Sequence, residues 1–304
     1  MTTMQNSLSR PKMESVDLSR GRLSWRRRLV DRSGTTAMAA SLLVALVPLG
    51  FVIFEVVSRG AGVMSLDFLT AEIPRNYRRP GPGMGPAIMG TLLITGIAAL
   101  MSIPLGIFGA IYLNEYGKKS RLASFIRSMS DVMTGVPSIM MGLFIYLTWV
   151  LAVGQKNGFG GALALACLML PIVIRSSEEM LRLVPDELRQ GSAALGARKW
   201  RTTLTVVVPS ALPGLISGSL LAIARAAGET APIVVTTGII FATNTDMFNG
   251  GNTTLAAQIF RNASQPFAAS VDRAWGAALT LVVIVLLFTI LSRLIASRFA
   301  TSRS

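Results

Sequence analysis

Arg225 and Glu229 stand four residues apart in an otherwise apolar stretch, LAIARAAGETAPIVV. Four residues is about one helical turn, so the guanidinium and the carboxylate share one face, roughly 6 Å apart. A charge at the centre of a bilayer costs roughly 2.5–3.5 kcal/mol on insertion scales, so such groups face a protein interior or a wet cavity. Arginine is suited to an oxyanion because its planar fork makes two parallel hydrogen bonds. Three readings follow. The pair is a packing lock, it lines the path of a polar solute, or it sits at the outer interface. The path reading requires a gate, because Glu229 repels an anion and neutralises Arg225 while the two are paired. Thr230 belongs to the same candidate path. Thr236 and Thr237 offer uncharged donors nearby, or simply pack between helices.

Other chemistry is excluded by what the chain lacks. Histidine is absent and Cys167 is the single cysteine. No Cys/His cluster is left to hold zinc or iron, so no metal site is expected. Gly117-Lys118-Lys119 lacks the upstream glycine and the following hydroxyl of a nucleotide-binding loop, so ATP chemistry by that route is not expected of this chain.

Hydrophobic residues make up 51% of the 304 and charged ones only 14%, with a mean hydropathy of +0.56. That is the composition of an integral membrane protein. The net charge of +14 does not form one basic face. Its lysines and arginines sit at the ends of apolar segments, which is a topology signal rather than a nucleic-acid one.

The spans expected are 36–58, 86–113, 125–152, 161–177, 207–230 and 275–296. Before them, residues 1–35 form a basic tail. Residues 36–85 hold the first span and a loop rich in Gly, Pro and Arg. Residues 86–297 form the core, and 298–304 a short tail. Most of the 29 lysines and arginines fall in the two tails and the loops near 120 and 190. That asymmetry places both termini in the cytoplasm. Residues 231–241 either continue the fifth span past a kink at Pro232 or re-enter the membrane. Arg127 and Asp131 form a second i,i+4 pair, expected to be structural. Gly135-Val136-Pro137 marks a helix break. Asn114 and Glu115 are expected at the interface, and Met140 and Met141 in packing.

The loop at about 185–200 reads VPDELRQGSAALGARKW. Pro185 starts a helix, Asp186 and Glu187 suit its positive end, and Arg198, Lys199 and Arg201 lie past its negative end. Gly196 stops it. A short amphipathic helix with small residues either accepts a partner surface or anchors the loop at the interface.

This loop resembles the EAA coupling motif of bacterial ABC-importer permeases: E-A-A, three residues, Gly, nine residues, I-x-L-P. Gly196 takes the glycine position, and Val206, Val208 and Pro209 take the I, L and P positions. The first three positions fall on Gln190, Gly191 and Ser192, which depart from the motif. Ala193, Ala194, Leu195 and Ala197 complete the candidate coupling surface. The segments GPAIMGTLLITGIAALMSIPLGIFGAIYLNEY, SDVMTGVPSIMMGLF and LAIARAAGETAP are similar to the permeases of phosphate-specific ABC importers. The form G-E-T-A-P resembles the PstA-type branch more than the PstC-type. The resemblance covers about 85 to 300.

It implies an all-α integral membrane protein with six transmembrane helices. The fold implied is the type I ABC-importer permease, with a cytoplasmic coupling helix. It implies a bacterial inner-membrane subunit that is not catalytic alone and binds no cofactor. ATP and Mg belong to a PstB-type ATPase dimer. The other implied partners are a PstC-type permease and an external PstS-type phosphate-binding protein. An ABC permease for another oxyanion or polar solute, or an ion-coupled secondary carrier, remains the alternative.

Overall fold

The computed structural model describes residues 25–81, 83–117 and 120–301, and among these no strand occurs. The described residues divide into two compact units, one ending at Ile53 and the other beginning at Phe54. Helix α1, Trp25–Ala61, is 37 residues long. It begins ten residues before the expected edge of the tail. Once a long apolar segment has nucleated a helix, extension is cheap wherever no proline blocks it, and residues 25–35 contain none. The rest of the expected basic tail, the 302–304 end and the loop lysines Lys118 and Lys119 lie outside the described residues.

The loop after α1 carries a short helix, α2, Leu66–Thr70, whose N-cap Ser65 accepts from the Phe68 amide at 3.0 Å. Helix α3, Gly85–Ile111, starts with Pro86 in its first turn and ends in a π turn, Tyr112–Tyr116. Ser120 caps α4, Arg121–Gly135. Helix α5, Ser138–Ile145, follows after two residues and runs through a π turn, Tyr146–Val150, into α6, Leu151–Val153. The third expected span is therefore not one rod. Its two halves meet at 106°. Pro137 explains the break: it lacks an N–H and pushes Val136 into extended backbone, φ −74° and ψ 132°.

Helix α7, Gly158–Arg182, is capped by Asn157, which accepts from the Gly160 amide at 2.8 Å. It outruns its expected end at 177. Then come α8, Asp186–Ala194, and α9, Lys199–Thr202. A π turn at Thr203–Val207 joins α9 to α10, Val208–Ala227. Pro209 has no N–H and crowds the carbonyl four residues back, and the π turn immediately before α10 relieves both defects. Helix α11, Ala231–Thr236, is a separate piece after a break at Gly228–Thr230 rather than a kinked continuation of α10. Helices α12, Leu255–Ala263, and α13, Ala268–Thr301, complete the chain. Among the described residues five helices are long and apolar enough to cross a membrane, and the bent pair counts as a sixth where its two halves form one span.

Helix α7 is the hub of the second unit. Its face of Ala162, Leu165, Met169 and Val173 packs with Ile94 and Ala98 of α3, Ala222 and Ala226 of α10, and Ile233 of α11. Small residues recur at these contacts because bilayer helices gain stability by close backbone approach. One close case is α5 on α11, where a Cβ on Gly142 would lie 2.5 Å from the Pro232 Cα and 3.0 Å from its Cβ. Thr236 and Thr237 are buried and donate to the Pro232 and Ile233 carbonyls at 2.8 and 2.9 Å, so they act in packing. Beyond α11 the chain forms a loop braced by Asn244 and Asn252. Phe248 O of that loop accepts from Asn157 Nδ2 at 3.1 Å. Leu255 at the start of α12 donates its amide to Thr91 Oγ1 on α3 at 2.8 Å.

Gly142→Val is expected to force α5 away from Pro232 and lower stability by about 1–3 kcal/mol. The check is the thermal midpoint in detergent. Gly96→Ala on α3, where a Cβ meets nothing within 4 Å, serves as control and is expected to leave the midpoint in place.

Candidate solute path and coupling helix

Arg225 lies in the last turn of α10, and Glu229 lies in the break before α11. Arg225 Nε and Glu229 Oε1 are 3.8 Å apart, with the side chains 67% and 19% exposed. That separation is an ion pair but too long for a hydrogen bond. Among the described residues the Arg225 side chain makes no hydrogen bond to protein. Both side chains line a cleft of about 200 Å³, walled by Met133 and Thr134 of α4, Val136, Pro137 and Ser138 of the bend, and Leu168 and Ile172 of α7. The broken third span thus supplies one wall of the cleft. Thr230 is at the N-cap position of α11, and its hydroxyl makes no capping bond there. The arrangement leaves a guanidinium fork free to meet an anion, with a loosely held carboxylate beside it.

At the other end of α10, the loop glycine has a clear backbone role. Gly196 has φ +78°, the left-handed region. Its amide donates to Ala193 O at 2.9 Å, and Ala197 donates to Ser192 O at 3.2 Å. These two bonds are the Schellman ending of α8. Gln190, Gly191, Ala193, Ala194 and Leu195 are exposed, and Leu195 is 90% so. Nothing lies within 4 Å of a Cβ placed on Gly191 or Gly196. Val206, Val208 and Pro209 are half-buried where the π turn enters α10. Ser192 and Thr202 share a hydroxyl hydrogen bond of 2.8 Å that ties α8 to α9.

Arg127 and Asp131 do not pair with each other. Arg127 Nε donates to Glu178 Oε1 at 2.8 Å, and Asp131 pairs with Arg175 at 2.7 Å. Both partners lie on α7. The i,i+4 spacing put the two groups on one face, and that face lies against a second charged helix. Glu178 is 2% exposed, and its Oε1 also receives Arg182 at 3.1 Å. Asn114 and Glu115 are buried by protein. Glu115 Oε1 accepts from Asn114 Nδ2 at 2.8 Å and from Arg189 Nη2 at 3.0 Å. Glu115, Arg175, Glu178 and Arg189 were not among the site residues expected from sequence. For Arg175, Glu178 and Arg189 the local signal was the cluster of opposite charges in RSSEEMLR and DELR, but the pairing across helices, Glu115 included, has no local signature.

The chain matches the family described as "Binding-protein-dependent transport system inner membrane component" over residues 102–302. It is 41% identical over 289 residues to "Phosphate transport system permease protein PstA 1" of Mycobacterium tuberculosis (strain ATCC 25618 / H37Rv), covering 92% of this chain and 91% of that one. It is 39% identical over 280 residues to "Phosphate transport system permease protein PstA" of Yersinia pestis, covering 92% and 94%. Among solved structures it resembles a chain of a bacterial ABC transporter involved in the import of the acidic polysaccharide alginate. The TM-score is 0.60 at 13% identity, over 90% of this chain and 99% of that one. A chain of the MetNI methionine ABC transporter in an inward-facing conformation gives a TM-score of 0.57 at 17% identity, over 71% and 93%. The fold is that of a multi-pass ABC-importer permease of type I. The chain belongs to the binding-protein-dependent transport system inner membrane component family.

Gly196→Ala places a Cβ in the left-handed region and is expected to cost about 1–2 kcal/mol locally. Hydrogen exchange at residues 196 and 197 is the check. It should quicken there while the global midpoint stays in place. Gly191→Ala, inside α8 and facing open space, is expected to leave exchange at those positions unaltered.

Proposed function

We propose that this chain is the PstA-type permease subunit of an ATP-driven importer of inorganic phosphate. The observation that carries the substrate is its identity of 41% over 92% of its length to a phosphate transport system permease. The cleft geometry is consistent with that substrate, because Arg225 presents an exposed fork with no protein hydrogen bond.

In this reading Arg225 meets the anion as it passes, and Glu229 and Thr230 form the gate beside it. At rest Glu229 holds Arg225 through a loose pair. A rearrangement of the subunits draws them apart and frees the guanidinium. Helix α8 is the cytoplasmic coupling helix, with Gln190 to Ala197 as the docking surface for a PstB-type ATPase dimer. Val206, Val208 and Pro209 set its exit into α10. A PstC-type permease supplies the other half of the path, and a PstS-type protein delivers phosphate from outside. ATP and Mg act on the ATPase, and this chain binds no cofactor. It sits in the bacterial inner membrane with both termini in the cytoplasm.

The test uses the reconstituted complex with its binding protein. Arg225→Gln is expected to lower phosphate uptake roughly tenfold or more, the value of a lost charged hydrogen bond. Assembly and ATPase rate should hold. Glu229→Gln is expected to keep assembly and leak ATPase activity without matched uptake. Wild-type uptake of another oxyanion with none of phosphate sinks the substrate assignment. Unchanged phosphate uptake in both variants sinks the path.

A further inference from the structure

Helix α8 has no buried residue, so apolar packing does not fix it to the membrane helices. Side-chain hydrogen bonds do: Ser192 reaches Thr202 of α9, and Arg189 reaches the ends of α3 and α7. Arg189 is 15% exposed and its fork is fully used. Nε and Nη2 reach Glu115 Oε1 at 3.3 and 3.0 Å, Nη1 reaches Asp186 at 3.0 Å and Val184 O at 2.6 Å, and Nη2 reaches Leu181 O at 2.9 Å. Glu115 lies in the π turn that ends α3. The same turn is held from its other side: Leu113 O accepts from Arg127 Nη2 on α4 at 2.9 Å. A π turn bonds five residues on, as Gly117 N to Tyr112 O at 2.7 Å does here, and this spacing leaves a neighbouring carbonyl open to a side chain.

Arg127 therefore joins three elements. Nη2 is on the π turn, Nε is on Glu178 of α7, and its own backbone is α4. Glu178 carries a second observation. Its Oε2 is buried and has no hydrogen-bond partner among the described residues, while Oε1 takes both Arg127 and Arg182. A buried carboxylate oxygen without a donor is costly, and arginine prefers to grip both oxygens at once. Arg127 thus has two sites for Nη2: the Leu113 carbonyl, which it occupies, and Glu178 Oε2, which is vacant. Seven residues, or about 10 Å along α4, separate Arg127 from Thr134 in the wall of the Arg225 cleft.

We propose that Arg127 is the positioning residue of an ionic relay from α8 to the Arg225 cleft, and that it switches Nη2 from Leu113 O to Glu178 Oε2. This rests on the proposed coupling role of α8. A pull on α8 passes through Arg189 and Glu115 to the π turn and draws Leu113 O away. The guanidinium then closes on both oxygens of Glu178. Helix α4 shifts against α7, and the Met133–Pro137 stretch from its last turn into the bend moves the cleft wall. Two discrete arrangements of one part-buried side chain on a buried carboxylate give the coupling its switch.

The test uses the complete transporter complex, with Cys167→Ser and spin labels on cysteines replacing the exposed Phe125 of α4 and Leu183 past α7. The inter-label distance is read with and without a non-hydrolysable ATP analogue. The parental complex is expected to show a nucleotide-dependent shift. Arg127→Lys keeps the charge, but one ammonium cannot bridge the two sites, so the shift should vanish. Solute moved per ATP should fall roughly fivefold or more at unchanged complex yield. Glu178→Gln should do the same by removing the anionic second site. Arg189→Glu should lose the shift, and Arg189→Glu with Glu115→Arg should regain it in part. No shift in the parental complex, or a shift that persists in Arg127→Lys and Glu178→Gln, overturns the relay. A parental complex that shifts but carries no phosphate overturns the substrate assignment and leaves the relay standing.

Discussion

Backbone carbonyls released where a helix breaks set the design of this chain. Hydrocarbon offers no donor, so a break at membrane depth survives only where the protein supplies one. Among the described residues three π turns, at Tyr112–Tyr116, Tyr146–Val150 and Thr203–Val207, keep the ladder bonded through irregular stretches. Where the ladder stops, arginines take over. Arg189 caps Leu181 and Val184 at the end of α7, and Arg127 caps Leu113. Arg273, buried near the start of α13, holds the Tyr77 and Arg79 carbonyls. Arg189 and Arg127 are thus tied to helix ends, and Arg273 to a loop. Those ends are also where the cleft and α8 lie.

Magnitudes separate the two best-placed ion pairs. Arg127 to Glu178 is 2.8 Å with the carboxylate buried, and removing one partner of such a pair typically costs about 3–5 kcal/mol. Arg225 to Glu229 is 3.8 Å with the arginine largely exposed, and exposed pairs are worth about 0–1 kcal/mol. Thermal energy at 25 °C is about 0.6 kcal/mol, so the second pair opens readily and the first does not. The first acts as a joint between α4 and α7. In the proposed path, the second is the element that changes state as a solute passes.

Six spans were legible because long apolar segments are a local signal, and so was the break at Gly135-Val136-Pro137, because proline acts on its own neighbours. Gly196 was legible for the same reason, since its left-handed φ follows from a helix stop. The start of α1 at Trp25 was not, because hydropathy marks the apolar core of a helix and not its polar extension. The partners of Arg127, Asp131 and Glu115 were not legible either. Helical spacing fixes which side chains share a face, but a neighbouring helix decides what that face meets. Arg127 and Asp131 share a face as expected, yet Glu178 and Arg175 of α7 are closer to each than they are to one another.

A transported solute must leave its site as readily as it enters, so strong binding in the path works against throughput. A buried arginine with several protein hydrogen bonds would be rigid and unavailable, as Arg189 is. An exposed arginine with no carboxylate nearby would hold an anion too firmly. Arg225 falls between these limits. Its fork is free, and Glu229 competes for it at 3.8 Å without capturing it. In the proposed path, the carboxylate that first argues against an anion would limit how long one stays. The α4–α5 bend forms part of the wall around both groups, so a small rotation of α4 alters the space beside Arg225 without breaking any bond the arginine makes.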